Sequence, residues 1–280
     1  MRNTFEKIMK HVVNFFGGLC SAWAAKRVVD KYGPKDVTLL FADTLIEDPD
    51  LYRFNEEWSA HLGIPITRIC VGLTPFELFR KQGLLGNARF KICSIYLKRE
   101  PLDAWHREHC MEMDTILYVG MDWNEPHRLK AMREAKPFWK IEAPMMDAPL
   151  WGKCRMIEAT KALGIKPPRL YGMGFAHNNC GGGCVASGIS QFVRLYQVLP
   201  AVFYEWEEQE RLTLEDFKTR GIDASFSILK DRRGGVTKSL LLSELRKRIH
   251  MGEKFDRFDW GGCGCGVMYD KEPETETPKP

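Results

Sequence analysis

No stretch of this 280-residue chain approaches the length of a membrane span, which needs roughly 18 consecutive apolar residues. No membrane partner is therefore expected. Charge of one sign is scarce as well: 41 basic side chains stand against 37 acidic ones, a formal net charge of +4. That balance does not indicate a nucleic-acid partner by itself, although a local basic patch is compatible with it. The opening MRNTFEKIMK is charged and has no apolar core of a secretory leader, so the expected location is the cytoplasm. There is no internal repeat, and no Gly-Lys-Ser/Thr follows the first glycine turn, which excludes the Walker phosphate loop.

The composition is that of a soluble globular protein, 44% hydrophobic and 28% charged, long enough for one or two domains. Its first half alternates. Apolar runs over 12–16, 36–44, 64–71 and 115–122, with a short one at WKIEAPM, read as strands. Helical patterns over 21–31, 51–62, 75–82 and 98–109, and NEPHRLKAMREA, fall between them. Strands alternating with helices imply βαβ units and a parallel sheet, with ligands at the carboxyl ends of its strands. After about residue 149 the alternation stops. Helices are expected over 150–163, 188–199, 206–211 and 239–250, within a segment rich in Gly, Cys and aromatics. KEPETETPKP closes the chain as an expected disordered tail.

The stretch HVVNFFGGLCSAWAAKRVVDKYG puts two glycines between a strand and a helix. Such a turn leaves backbone N–H groups at a helix N-terminus, where they and the helix dipole favour a phosphate. Glycine permits close approach, and Ser21 adds a hydroxyl. A plain structural corner would look the same.

Nine cysteines in a reducing compartment do not imply disulfides. Cys70, Cys110 and Cys154 read as core. Two other places differ: AHNNCGGGCVASG, with Cys180 and Cys184, and WGGCGCG, with Cys263 and Cys265. Flanking glycines let the backbone wrap closely around a thiolate, and Cys-x3-Cys suits both zinc loops and iron–sulfur sites. His177 is a substitute ligand or a polar turn residue on these grounds.

FFGGLCS followed by a helix and then LLFADT resembles the pyrophosphate loop of the adenine nucleotide alpha-hydrolase (PP-loop) superfamily. CSIYLKREPL and GMDWNEPHR are similar to two further segments of its phosphoadenylylsulfate (PAPS) reductase-like family, phage-type and DNA-phosphorothioation-type relatives included. The likeness covers about residues 11–128. It implies an α/β fold: a parallel-sheet PP-loop domain over 1–149, a smaller Cys/Gly-rich and metal-binding C-terminal domain over 150–270, and a tail over 271–280. It also implies an adenine nucleotide, ATP with Mg²⁺ or PAPS itself, held by Gly17, Gly18, Cys20 and Ser21. Phe41, Asp43 and Thr44 would lie near the adenosine, and Gly120, Glu125 and Arg128 near the phosphates or substrate. Lys98 would balance phosphate or sulfate charge, and Arg89 reads as an anion ligand on its loop. Phe16, Ser94, Asp122 and Pro126 depart from the family pattern of serine, cysteine, arginine and serine at those positions.

In iron–sulfur members of that family an early cysteine segment and a later pair close on one cluster. The resemblance therefore implies Cys93, Cys180, Cys184 and Cys263 as a ligand set, with zinc as the alternative metal, and Cys263 or Cys265 as a catalytic thiol. Three activities stay open. One is ATP-dependent adenylylation followed by sulfur transfer to a nucleic acid or small metabolite, with a sulfur donor such as a cysteine desulfurase as partner. The second is reductive cleavage of PAPS or its 3′-dephospho analogue to sulfite. The third is a nucleotide-binding interaction module, altered at Phe16, with a structural zinc. The basic runs KDRRGG and SELRKRIH are surface or nucleic-acid contacts, while Trp139, Trp151 and FYEWEEQE read as packing.

Overall fold

The computed structural model describes residues 9–262, and every structural statement here concerns those residues. Cys263, Cys265 and the tail expected over 271–280 lie outside them.

The first half is α/β. It runs β1 (Lys10–Asn14), α1 (Leu19–Tyr32), β2 (Val37–Asp43), α2 (Pro49–Leu62), β3 (Ile66–Cys70) and α3 (Pro75–Gln82). It continues through a short turn α4 (Ile92–Ser94), a π-helical turn (Ile95–Arg99), α5 (Glu100–His109), β4 (Thr115–Val119), α6 (Pro126–Ala135) and β5 (Lys140–Glu142). The five strands form one parallel sheet in the order β3-β2-β1-β4-β5. Central strands of such a sheet must be apolar on both faces, and β4 is buried at every residue.

Successive residues point to opposite faces of a strand, and the two cores follow that rule. Val13 and Leu39 pack with Ala22, Trp23, Phe54 and Trp58 of α1 and α2. Their neighbours Val12 and Leu40 pack on the other face with Leu102, Leu129 and Met132 of α5 and α6. The sheet is thus wound on both sides.

The second half adds α7 (Lys153–Ala162), α8 (Arg169–Gly172), α9 (Ile189–Val198), α10 (Pro200–Thr219), a hairpin of β6 (Leu229–Asp231) and β7 (Lys238–Leu240), and α11 (Leu242–His250). Packing crosses residue 149 in both directions. Met156 and Ile165 join the α1 face of the sheet, while Phe76, Phe79 and Ile92 join the core built by α9, α10 and α11. Two local expectations change. The helix expected over 206–211 is 20 residues long, because its apolar stripe continues through Thr213, Leu214 and Phe217, all buried. Residues 238–240 pair antiparallel with β6 and only then does α11 begin. The LLL run suits either state, and the hairpin partner decides it.

Candidate functional site

In an open parallel sheet the ligand crevice lies where the strand order reverses. Here β2 and β3 stack on one side of β1 while β4 and β5 lie on the other, so the reversal falls between the carboxyl ends of β1 and β4. A cleft of about 480 Å³ opens there. One wall is the glycine turn, with Phe16, Gly18, Cys20 and Ser21. The second is the loop after β4, with Gly120, Asp122, Glu125 and Arg128. The third comes from the distant second half: Lys153, Tyr171, His177 and Asn178.

Gly17 holds φ +70, and a Cβ there would stand 2.6 Å from Leu51 Cγ and 2.9 Å from Asn55 Oδ1. Only glycine suits both constraints. Gly18 then caps α1 without a side chain. The N–H groups of Gly18, Cys20 and Ser21 make no hydrogen bond among the described residues, and that of Leu19 donates to the Tyr171 hydroxyl at 3.3 Å. Ser21 does not offer its hydroxyl hydrogen to a ligand as expected. Its Oγ donates to the Gly18 carbonyl at 2.9 Å and accepts from the Phe16 N–H at 3.2 Å. The loop after β4 presses against this turn, since a Cβ on Gly120 would lie 2.4 Å from Ser21 N and Cα.

The charges around the turn are arranged. Arg128 pairs with Glu125, whose other oxygen accepts the Asp122 N–H at 3.0 Å. Burial alone would raise the Glu125 pKa, but Arg128, that N–H and His177 together bring it below the usual glutamate value. Lys153 stands over the Tyr171 ring at 5.1 Å and donates to the Ala176 carbonyl at 2.8 Å. Burial pushes the Cys20 thiol up to about 11 despite the opposing Lys153 charge, so Cys20 is a neutral cleft wall at pH 7. Three buried polar atoms of the lining lack partners: Asp122 Oδ1, Asn178 Oδ1 and Arg128 Nε.

The remaining expected nucleotide residues lie elsewhere. Phe41 is buried in β2, edge-on to Tyr52. Asp43 accepts from Tyr52, from Arg68 and from the Leu45 N–H. Thr44 donates to Glu47 at 2.9 Å. Arg89 is exposed and stands over the Phe90 ring. Lys98 is buried, and its Nζ lies 3.2 Å from Glu47 Oε1. None of the five lines the cleft.

Glu47 links Lys98 to the cysteine loop, because its second oxygen accepts the Cys180 N–H. Cys180 takes φ +52, rare for a residue with a Cβ. Cys180 and Cys184 are buried and Cys93 half-buried, and the Ala186 N–H points at Cys184 Sγ at 3.4 Å. Gly262 donates to the Ala186 carbonyl at 3.0 Å, and Cys263 is the next residue in sequence. Among the described residues no group of three or more His, Cys, Asp or Glu side chains is arranged to hold a metal ion. The three members of the expected set within those residues, Cys93, Cys180 and Cys184, form no such group, and the fourth, Cys263, lies outside them.

Sequence reasoning missed Lys153, Tyr171 and Asn124 as cleft residues. Asn124 lies within the GMDWNEPHR segment already singled out, whereas no local pattern marks Lys153 or Tyr171, which the fold brings there from far along the chain.

No protein-family model matches the chain. An uncharacterized protein of Methanocaldococcus jannaschii is 25% identical over 209 residues, covering 74% of this chain and 43% of that protein. The oxygen-independent coproporphyrinogen-III oxidase-like protein HemZ of Bacillus subtilis is 28% identical over 72 residues, 26% of this chain and 14% of its own. The chain thus spans less than half the length of these curated relatives. Among solved structures, the PAPS reductase of Candida auris in its phosphate complex is similar at a TM-score of 0.39 and 17% identity, over 61% of this chain and 80% of that one. No helix among the described residues is long and apolar enough to cross a membrane.

Proposed function

We propose that this chain is a PAPS reductase-like enzyme of the PP-loop type, which binds an adenine nucleotide through its phosphates and carries out sulfur chemistry. One observation carries the reading. At the reversal of strand order, the N–H groups of Gly18, Cys20 and Ser21, unpartnered among the described residues, lie at a cleft that also holds Arg128 and Lys153. Fixed N–H donors and two cations are what a pyrophosphate requires. Mg²⁺ would be held by Asp122, whose Oδ1 lacks a partner, and would neutralise phosphate charge.

In the favoured reaction an acceptor oxygen attacks the α-phosphorus of ATP and pyrophosphate leaves. A sulfur nucleophile then displaces AMP from the adenylylated acceptor. Arg128 and Lys153 would stabilise the departing pyrophosphate, and the glycine turn would orient the α-phosphate. The second reading, cleavage of PAPS, needs a thiolate to attack the sulfur of the sulfate group and release adenosine 3′,5′-bisphosphate. A second thiol then frees sulfite as a disulfide forms. Cys20 at a pKa of about 11 is unsuited to be that thiolate; the family resemblance implies Cys263 or Cys265 for the role.

A metal on Cys93, Cys180, Cys184 and Cys263, an iron–sulfur cluster or zinc, belongs to the same proposal. The N–H bond to Cys184 Sγ and the docking of Gly262 on Ala186 favour it. Bound there, a cluster would supply sulfur or electrons. Product analysis tests the whole reading. Pyrophosphate and AMP from ATP support sulfur transfer, and sulfite from PAPS supports reduction. Nucleotide binding with neither product supports the altered module with a structural metal. Absence of nucleotide binding contradicts all three.

A further inference from the structure

A second cleft, of about 710 Å³, opens between α9, the turn after α8 and residues 253–260. Its lining is cationic and aromatic: Arg194, Lys254 and Arg257, with Phe255 and Trp260. The carboxylate in the lining, Glu253, is paired with Arg233. The two neighbouring acids are turned to the backbone, Asp256 to the Phe258 N–H and Asp259 to the Ile189 N–H. Lys254 and Arg257 have no ion pair among the described residues. Arg194 is held in place: its Nε donates to the Met173 carbonyl at 2.6 Å, and its guanidinium lies against Gly174. A Cβ on Gly174 would stand 2.8 Å from Nη2. Three positive groups thus border one concavity whose lining carboxylate, Glu253, is already paired with Arg233.

The two clefts adjoin. Gly174 lines this one and Ala176 the nucleotide cleft, a separation of two residues and about 7 Å at most. Phe258, on the same segment as Phe255 and Trp260, is 87% exposed.

We propose that this cleft seats a single-stranded nucleic acid, its phosphates on Arg194, Lys254 and Arg257 and its bases against Trp260 and Phe255. A cationic groove with aromatic faces is how single strands are held without base-specific hydrogen bonds. The strand then leads past Gly174 to the nucleotide cleft, which makes a nucleic acid the acceptor in the sulfur-transfer reaction. That last step rests on the proposed function, whereas the seat itself does not.

The test is fluorescence anisotropy of labelled oligothymidylate and oligouridylate of about 12 nucleotides on the full chain without ATP, across a salt series. Three phosphate contacts give a log–log salt slope of about −2 for a single strand. Arg257→Glu and Lys254→Glu are each expected to weaken binding about tenfold or more and to flatten the slope. Trp260→Ala is expected to weaken binding with the slope unchanged. Lys35→Glu, the same charge change on an exposed residue before β2, is the control and leaves binding unchanged. Wild-type affinity in Arg257→Glu and Lys254→Glu overturns the proposal, as does polyglutamate competing as well as the oligonucleotide. ATP binding is measured on the same proteins. Oligonucleotide binding without ATP binding defeats the nucleotide reading and leaves the seat standing; the reverse defeats the seat alone.

Discussion

The side-chain amide of Asn178 donates a 2.8 Å hydrogen bond to the carbonyl of Gly17, a residue 161 positions earlier. A carbonyl only accepts, so the bond identifies the amide nitrogen and leaves Asn178 Oδ1 as the buried atom without a partner. The link fastens the loop before Cys180 to the glycine turn. Asn178→Asp keeps the shape but sets a carboxylate against a carbonyl. It is expected to lower stability by about 1–3 kcal/mol and to weaken ATP binding more than Asn178→Ser does. Urea unfolding and calorimetric titration check both.

Gly120→Ala tests the close approach of the two loops. The added methyl would stand 2.4 Å from the Ser21 backbone, so either the turn or the loop after β4 must move. The expected outcome is at least a tenfold loss of ATP affinity, about 1.4 kcal/mol, with far-ultraviolet circular dichroism unchanged. Gly33→Ala is a useful contrast: the constraint there is a glycine φ, +80, with open space around it. It should cost stability and leave ATP affinity intact.

Much of this arrangement was legible in the sequence. Alternating strands and helices announced a parallel sheet, and FFGGLCSAW marked the turn between β1 and α1 because glycine there is obligatory. GMDWNEPHR was placed beside it through the family resemblance alone, and Gly120 lies against the turn at Ser21. The resemblance implied Asp43 and Thr44 near the adenosine; here Asp43 accepts from Arg68 and Tyr52, and Thr44 donates to Glu47. Lys98, which the resemblance implied as balancing phosphate or sulfate charge and which otherwise read as a solvated helix face, is buried beside Glu47. Lys153 was invisible, since nothing near it in sequence says that α7 returns to the sheet through Met156 and Trp23.

Cys20 is expected to resist alkylation. Burial raises its pKa to about 11 and the nearby Lys153 opposes that rise. The Cys20-specific rate with iodoacetamide, followed by peptide mass spectrometry, should therefore climb through pH 9–10 without a plateau. Lys153→Met should slow it further at fixed pH, and a bound nucleotide should block it.

Two buried groups give stability opposite dependences on pH. Burial raises the Glu210 pKa from 4.5 to about 7, although its oxygens accept the Ile228 and Leu242 N–H groups. The folded state therefore binds the extra proton, and stability is lost as pH rises from about 4.5 to 7. Burial lowers the His106 pKa from 6.5 to about 3. There the unfolded state binds the proton, and stability is lost as pH falls from about 6.5 to 3. At full extent the contributions are of order 3 kcal/mol for Glu210 and of order 5 kcal/mol for His106. The two slopes oppose one another between about pH 4.5 and 6.5. Glu210→Gln should expose the rise with pH, and His106→Phe the fall, in urea titrations across that range.

The most direct test of the account is calorimetric titration of ATP and Mg²⁺ into the wild-type chain and into Lys153→Met, at low and high salt. The account predicts a single site, with affinity falling as salt rises. In Lys153→Met it predicts binding at least about tenfold weaker and less sensitive to salt, because one of two cations facing the phosphates is gone. Equal affinity in the two proteins, or no binding to either, would contradict the assignment of the β1–β4 cleft as a nucleotide-phosphate site.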